Sequence, residues 1–238
     1  MNRYGIVVSC EHGGHKVPTA FTGIFRDQQA VLETHRGWDS GALQLARQLA
    51  SRFDAPLHAS TTTRLLIDLN RSIGHRQLFS EFTRPLPPAM RQDIVRRHYR
   101  PHRDAVEGDI GRRIASGRPV VHIASHSFTP VMDGVTRLAD VAWLYDPRRT
   151  RESALAHRWM AQLARRAPRL TLRRNYPYQG RGDGLASLLR KRFTGDAYLG
   201  IELEVNQRYV AQGGATWRAL RSALLESRAA ALAAAPAD

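Results

Sequence analysis

Tyr4-Gly-Ile-Val-Val-Ser-Cys-Glu-His-Gly-Gly-His-Lys-Val-Pro18 is the stretch on which the reading of the fold turns. Ile6, Val7 and Val8 form the short apolar run expected of a buried strand. The run gives way at once to Ser9, Cys10, Glu11, His12, Gly13, Gly14 and His15. Side chains able to hold a metal therefore crowd the point where a strand ends and a glycine-loosened loop begins. In open α/β sheets ligands bind at the carboxyl ends of strands. His12 is accordingly the first candidate ligand, with Glu11 and His15 as competitors in the same loop.

Working outward, strand-like and helix-like patterns alternate. Residues 27–34 read as a short helix. Residues 41–53 read as a longer one, with Ala42, Leu45, Ala46, Leu49 and Phe53 at helical spacing and Asp39 or Ser40 as its cap. Strands are expected at 55–59 and 64–69. The proline-bearing region 72–88 is expected to be a long loop over the site. A helical stretch starts at Ala89, interrupted near Pro101, and ends at Gly117. A strand at 119–124 terminates in Ser125-His126-Ser127, and 141–145 is another. A helix at 151–166 and a strand at 170–173 precede a turn-rich loop at 175–180. Then come a helix at 184–193, a last strand at 198–205, and a final helix capped by Thr216 whose alanine-rich end should fray. This alternation predicts one three-layer α/β domain over residues 1–238, a largely parallel mixed sheet with helices on both faces.

Composition narrows the function. No stretch approaches the ~20 consecutive apolar residues of a membrane helix. With a strand pattern within four residues of Met1, no signal peptide is expected. Cys10 is the only cysteine, which excludes intramolecular disulfides and fits a cytoplasmic protein. The net charge is +15, yet Lys16 and Lys191 are the only lysines and the arginines are dispersed along the chain. That pattern argues against nucleic acid and for attraction of small acidic substrates.

Three segments supply a hydrolytic metal set: His12 after the first strand, Asp39 before the first long helix, and His126 after the strand at 119–124. A catalytic zinc takes three protein ligands and keeps one position open. His35 is a weaker rival. Arg64-Leu-Leu-Ile-Asp-Leu-Asn-Arg71 places two permanent positive charges beside apolar structure. Arg71 is suited to a bidentate grip on a carboxylate, Asn70 adds a neutral donor, and Asp68 is expected to orient an arginine. Glu202 and Glu204 share one face of the last strand, opposite Ile201, Leu203 and Val205. Glu204, nearer the carboxyl end, is the favoured general base. Cys10 reads as a small core residue, and no Gly-x-Ser-x-Gly elbow is present.

In that order, Ser9-Cys-Glu-His-Gly-Gly14, His35-Arg-Gly-Trp-Asp-Ser-Gly-Ala42, Arg64 to Arg71 and His122-Ile-Ala-Ser-His-Ser-Phe-Thr-Pro130 resemble the N-formylglutamate amidohydrolase family. So do Leu144-Tyr-Asp-Pro147, Asn175-Tyr-Pro-Tyr-Gln-Gly180 and Ile201-Glu-Leu-Glu-Val205. Asp-Leu-Asn-Arg also resembles a motif of the wider zinc carboxypeptidase and aspartoacylase group, whose fold is phosphorylase/hydrolase-like. The resemblance implies one zinc per chain on His12, Asp39 and His126, with Glu204 as general base. It implies that Arg64 polarises the carbonyl oxygen and that Asn70 and Arg71 take a carboxylate of a small substrate. Arg181 or Arg192 is assigned to a second carboxylate. The family's histidine-degrading deformylases carry Pro-His-Ser-Gly where this chain has Glu11-His-Gly-Gly14, so the expectation is amide hydrolysis of an N-formyl or N-acyl amino acid. A carboxypeptidase-like amidase or a deacylase with a different acidic substrate is the alternative.

Overall fold

The structure is a computed structural model that describes residues 4–233. In chain order the strands are β1 (Gly5–Cys10), β2 (Leu57–Ala59), β3 (Val120–Phe128), β4 (Val131–Met132), β5 (Val135–Thr136), β6 (Val141–Leu144), β7 (Leu172–Arg174) and β8 (Tyr198–Asn206). The α-helices are α1 (Gln29–Leu32), α2 (Ala42–Arg52), α3 (Pro88–Ile94), α4 (Arg100–Ala115), α5 (Thr150–Arg166), α6 (Leu185–Arg192), α7 (Gln207–Gln212) and α8 (Gly214–Ala233). Six strands form one sheet in the order β2-β1-β3-β8-β6-β7, and β4 and β5 make a separate hairpin. β2, β1, β3 and β8 run parallel, whereas β6 pairs antiparallel to β8 and carries β7 with it. The mixed, mostly parallel sheet with helices on both faces is the predicted architecture.

Period-two alternation assigns the faces. Ile6 and Val8 of β1, Val121 and Ile123 of β3, and Ile201, Leu203 and Val205 of β8 join one core with apolar residues of α2, α5 and α8. The intervening Val7, Val120 and Tyr198 join Val106 and Ile110 of α4 and Leu185 and Leu189 of α6 on the other face. That second face holds His126, Glu202 and Glu204. In the register of β3 on β8, His126 lies opposite Glu204 and Ala124 opposite Glu202.

Several boundaries differ from expectation. Arg64–Leu69 is not a strand. Its backbone is satisfied by turns and by other segments: Arg64 N–H donates to Gly37 O, Leu66 N–H to Thr63 O and Asp68 N–H to Leu78 O. Leu65, Leu66, Ile67 and Leu69 are buried in a separate cluster with Phe21, Phe25, Leu78, Ile94 and Tyr99. A short apolar run signals burial without specifying a ladder. His126 lies inside β3, which continues to Phe128. The helical stretch is not broken at Pro101; α3 passes through a π-helical segment, Val95–Tyr99, into α4. Widening the turn ahead of a proline accommodates its missing N–H and its ring. Neither Asp39 nor Ser40 caps α2: the cap is Gly41 at φ 80°, a left-handed geometry that glycine adopts without cost. Thr216 lies within α8. The alanine-rich end, expected to fray, is helical through Ala233, and residues 234–238 lie outside those described. No helix among the described residues is long and apolar enough to cross a membrane.

Candidate metal centre

The carboxyl ends of β1 and β3 bring the site together. Beyond β1 the chain turns tightly against β2: Gly13 N–H donates to Ser60 O at 2.9 Å. A Cβ at Gly13 would lie 2.8 Å from that carbonyl oxygen, so the approach requires glycine. Asp39 N–H donates to His12 O at 2.9 Å, joining the two segments by their backbones. Ser125 and Ser127 on β3 donate to the carbonyls of Ala42 and Ser40 at 2.9 and 2.7 Å. These bonds fix the start of α2, and with it Asp39, against β3.

His12, Asp39 and His126 are all buried, and one ligand atom from each lies within 4.8 Å of the others. Asp39 Oδ2 faces His126 Nδ1 at 2.9 Å and His12 Nδ1 at 3.4 Å. Each imidazole turns its far nitrogen to another carboxylate. His12 Nε2 is hydrogen-bonded to Asp68 Oδ1 at 2.8 Å, and His126 Nε2 lies at ion-pair distance, 3.1 Å, from Glu11 Oε2 without hydrogen-bond geometry. Such a partner favours the proton on Nε2 and leaves the Nδ1 lone pair aimed inward, the tautomer a metal ligand needs. Glu11 is backed in turn by His102 Nε2, 3.4 Å from Oε1.

The electrostatics favour a cation. Burial opposes ionisation of Glu11, Asp39 and Asp68, but His102 and His126 for Glu11, His12, His126 and Arg64 for Asp39, and Arg64 and His12 for Asp68 hold these carboxyls below their usual range. Burial and Arg64 lower the pKa of His12 and burial that of His126; the carboxylates prevail and raise both. With neutral imidazoles, the carboxylates of Glu11, Asp39 and Asp68 are balanced only by the Arg64 guanidinium that pairs with the last two, leaving a negative excess that a divalent ion would cancel. The donor set of two imidazole nitrogens and one carboxylate oxygen suits zinc.

Glu204 differs from Glu11, Asp39 and Asp68 in that its carboxyl is held above the usual range. It is 5% exposed, and its Oε2 is buried with no hydrogen-bond partner. Burial, with Asp39 and Glu202 adding to it against His126 and Arg64, pushes its carboxyl up to about 7. Glu202 Oε2 faces Asn70 Nδ2 at 3.4 Å. Asn70 Oδ1 accepts from Leu185 N–H at 2.8 Å, which ties the segment to α6. Arg64 donates from Nη1 to Asp39 Oδ1 at 3.2 Å and from Nη2 to Asp68 Oδ2 at 2.7 Å. Arg71 Nη1 donates to Asp183 O at 2.9 Å, while its buried Nε has no partner.

A cavity of about 570 Å³ opens over this cluster, lined by His12, Asp39, His126, Arg64, Asn70, Arg71 and Glu204 among others. Arg181, expected at a second carboxylate, is exposed and does not line it, although Gly182 and Asp183 do. Arg192 pairs with Glu107 instead. Of the rival ligands, Glu11 stands behind His126, His15 lies edge-on to Trp38, and His35 lines the outer cavity. Cys10 is fully buried, and burial together with Glu11 and Asp39 holds its thiol pKa up.

Sequence reasoning missed two contacts. Asp68 does orient an arginine, but it also supports His12. Glu11 was read as a rival ligand rather than as a partner of His126. The alternation of Val7 and Ser9 on β1, continued one residue past its end, carried that signal, because it puts Glu11 on the face that His126 shares. The cavity wall at Gln77, Phe79, Ser80, Glu81 and Arg84 falls in the 72–88 loop expected over the site, whereas Met132 had no local signal.

The chain is similar to known proteins in sequence and in fold. The sequence matches the N-formylglutamate amidohydrolase family over residues 4–211. The gene product Atu2144 from Agrobacterium tumefaciens is 30% identical, with a TM-score of 0.82 over 98% of this chain and 93% of that one. An N-formylglutamate amidohydrolase from Ralstonia eutropha JMP134 is 19% identical, with a TM-score of 0.68 over 94% of this chain and 91% of that one. No curated protein matches the sequence.

Proposed function

The chain belongs to the N-formylglutamate amidohydrolase family and is a hydrolase of amide bonds, and from that premise we propose a zinc-dependent deacylation of small N-formyl or N-acyl amino acids. One observation carries the reading. Two imidazoles direct Nδ1 to the same Asp39 oxygen, Asp68 holds the Nε2 of His12 and Glu11 stands at ion-pair distance from the Nε2 of His126, beside Glu204, a buried glutamate with an unpartnered oxygen.

His12, Asp39 and His126 would hold the ion, and Asp68 and Glu11 would keep the imidazoles in the ligating tautomer. When bound, zinc supplies Lewis acidity, acidifying water and withdrawing electron density from the amide carbonyl. Glu204 takes the proton of the attacking water. Its raised pKa makes it a base strong enough for the task and an acid able to return the proton near neutrality. The C–N bond then breaks, and Glu204 delivers the proton to the departing amine. The products are a carboxylate and a free amino group.

Arg64 acts on the oxygen that gains charge. Two of its five N–H donors are committed to Asp39 and Asp68, which fixes the guanidinium before substrate arrives. Arg71 and Asn70, which line the cavity, take the substrate carboxylate and hold the scissile carbon in place. N-formylglutamate is one member of the substrate class, and the cavity of about 570 Å³ also admits larger acyl groups.

The test is metal analysis joined to an N-acyl amino acid screen. The expected result is about one zinc per chain, with formate or acyl release lost on chelation and restored by zinc. Undiminished hydrolysis by metal-free protein would end this reading.

A further inference from the structure

Beside the reaction cavity lies a second groove of about 720 Å³, between the segment 73–79 and the helical stretch from α3 to α4. Its rim carries Arg76, Arg84, Arg91, Arg96 and Arg100, and no carboxylate lines it. Leu78, Phe79 and Val95 make part of its wall apolar. Arg96 is neutralised by Asp93. Among the described residues, Arg76, Arg84, Arg91 and Arg100 have no carboxylate at ion-pair distance. The Arg91 guanidinium lies over the Phe79 ring, 5.9 Å from its centroid, and its buried Nε has no hydrogen-bond partner.

The groove adjoins the site across shared wall residues. Phe79 and Arg84 line both spaces, and Arg84 Nη2 donates to Phe79 O at 3.3 Å. A formyl amino acid has too few atoms to occupy both. We propose that this groove is a substrate subsite and that the substrate is an acidic acyl-peptide, an amide bearing at least one further carboxylate beyond the bond cleaved. Guanidinium groups bind carboxylates through paired N–H donors, and they do so more strongly where apolar walls exclude water. The methylene stems of glutamate-like residues would lie on Leu78 and Phe79. The inference rests on the amidohydrolase reading for its chemistry, but the binding it predicts is measurable without turnover.

The experiment measures fluorescence anisotropy of labelled tetraglutamate and tetraglutamine peptides on the full chain. The protein is compared with an Arg91→Glu/Arg100→Glu variant and with Arg165→Glu/Arg169→Glu, an equal charge change on exposed arginines elsewhere. The wild type should bind the acidic peptide at least about tenfold more tightly than the neutral one. The groove variant should lose about tenfold or more, and the distant variant about twofold or less. Arg91→Gln/Arg100→Gln, a milder change, should lose in the same direction if the reversal unfolds the protein. Equal losses in the groove and distant variants would assign the binding to the general field and overturn the proposal. So would equal affinity for the two peptides, or displacement of tetraglutamate by single-stranded RNA at lower concentration. In turnover, the ratio of kcat/KM for N-formyl-diglutamate over N-formylglutamate should fall in the groove variant. Peptide binding at the groove without hydrolysis of any N-acyl amino acid by the zinc-loaded protein would refute the chemistry and support the subsite. Hydrolysis of N-formylglutamate without peptide discrimination would do the reverse.

Discussion

Glu152 and Glu204 are both buried glutamates attached to β8, and they are handled in opposite ways. Glu152 on α5 is fully buried, and both its oxygens accept from Arg190 Nε. Oε1 also accepts from Gly200 N–H at 2.6 Å and Oε2 from Asp146 N–H at 2.7 Å. Glu204, four residues along the same strand from Gly200, has an oxygen with no partner. Burial raises both carboxyls. What separates them is whether the carboxylate is already spent on the fold. A satisfied buried charge anchors helices to a sheet, whereas an unsatisfied one is held in readiness for something that comes and goes.

Glu204→Gln should reduce kcat by about 10²- to 10⁴-fold with little change in melting temperature, because the amide keeps the shape and carries no charge. Near-normal turnover would remove Glu204 from catalysis. Glu152→Ala should cost about 3–5 kcal/mol of stability by stranding the Arg190 guanidinium, while turnover per folded molecule persists. Denaturant titration with active-site normalisation checks this. A stable but inactive variant would mean that the two glutamates are not of different kinds.

Smaller effects sharpen the same contrast. Asp68→Asn keeps the shape beside His12 but weakens control of its tautomer, and should lower zinc affinity by about 10- to 100-fold, read by competition with a chelator. Affinity equal to wild type would leave Asp68 as an arginine partner only. Glu204 must be ionised to accept a proton, so activity should fall as pH drops through its pKa. Burial sets that pKa at about 7, and a bound cation would move the acid limb lower. A kcat profile flat between about pH 4 and about pH 8 would contradict the assignment.

What the sequence revealed, and what it hid, follow a physical line. Alternation along β1, β3 and β8 was readable because sheet faces repeat every two residues. It put Glu202 and Glu204 opposite Ile201, Leu203 and Val205 before any coordinates. The helical period over Leu45, Ala46 and Leu49 was readable for the same kind of reason. Arg64–Leu69 misled because Leu65, Leu66 and Ile67 bury equally well in a turn packed on Phe21 and Phe25 as in a strand. His12, Asp39 and His126 could be nominated from element ends. The pairings of His12 with Asp68 and of His126 with Glu11 could not, because they span 56 and 115 positions and are set by how layers stack. Arg181 illustrates the limit: its neighbours Gly182 and Asp183 reach the cavity while its own side chain faces outward.

The account stands or falls on one ion among three side chains. Crystals of the purified protein, with anomalous diffraction recorded on either side of the zinc absorption edge, would test it most directly. The account predicts a single peak per chain bonded to His12 Nδ1, His126 Nδ1 and the Asp39 carboxylate, absent in His126→Ala. No peak from zinc-supplemented protein, or a peak held by other residues, would contradict it.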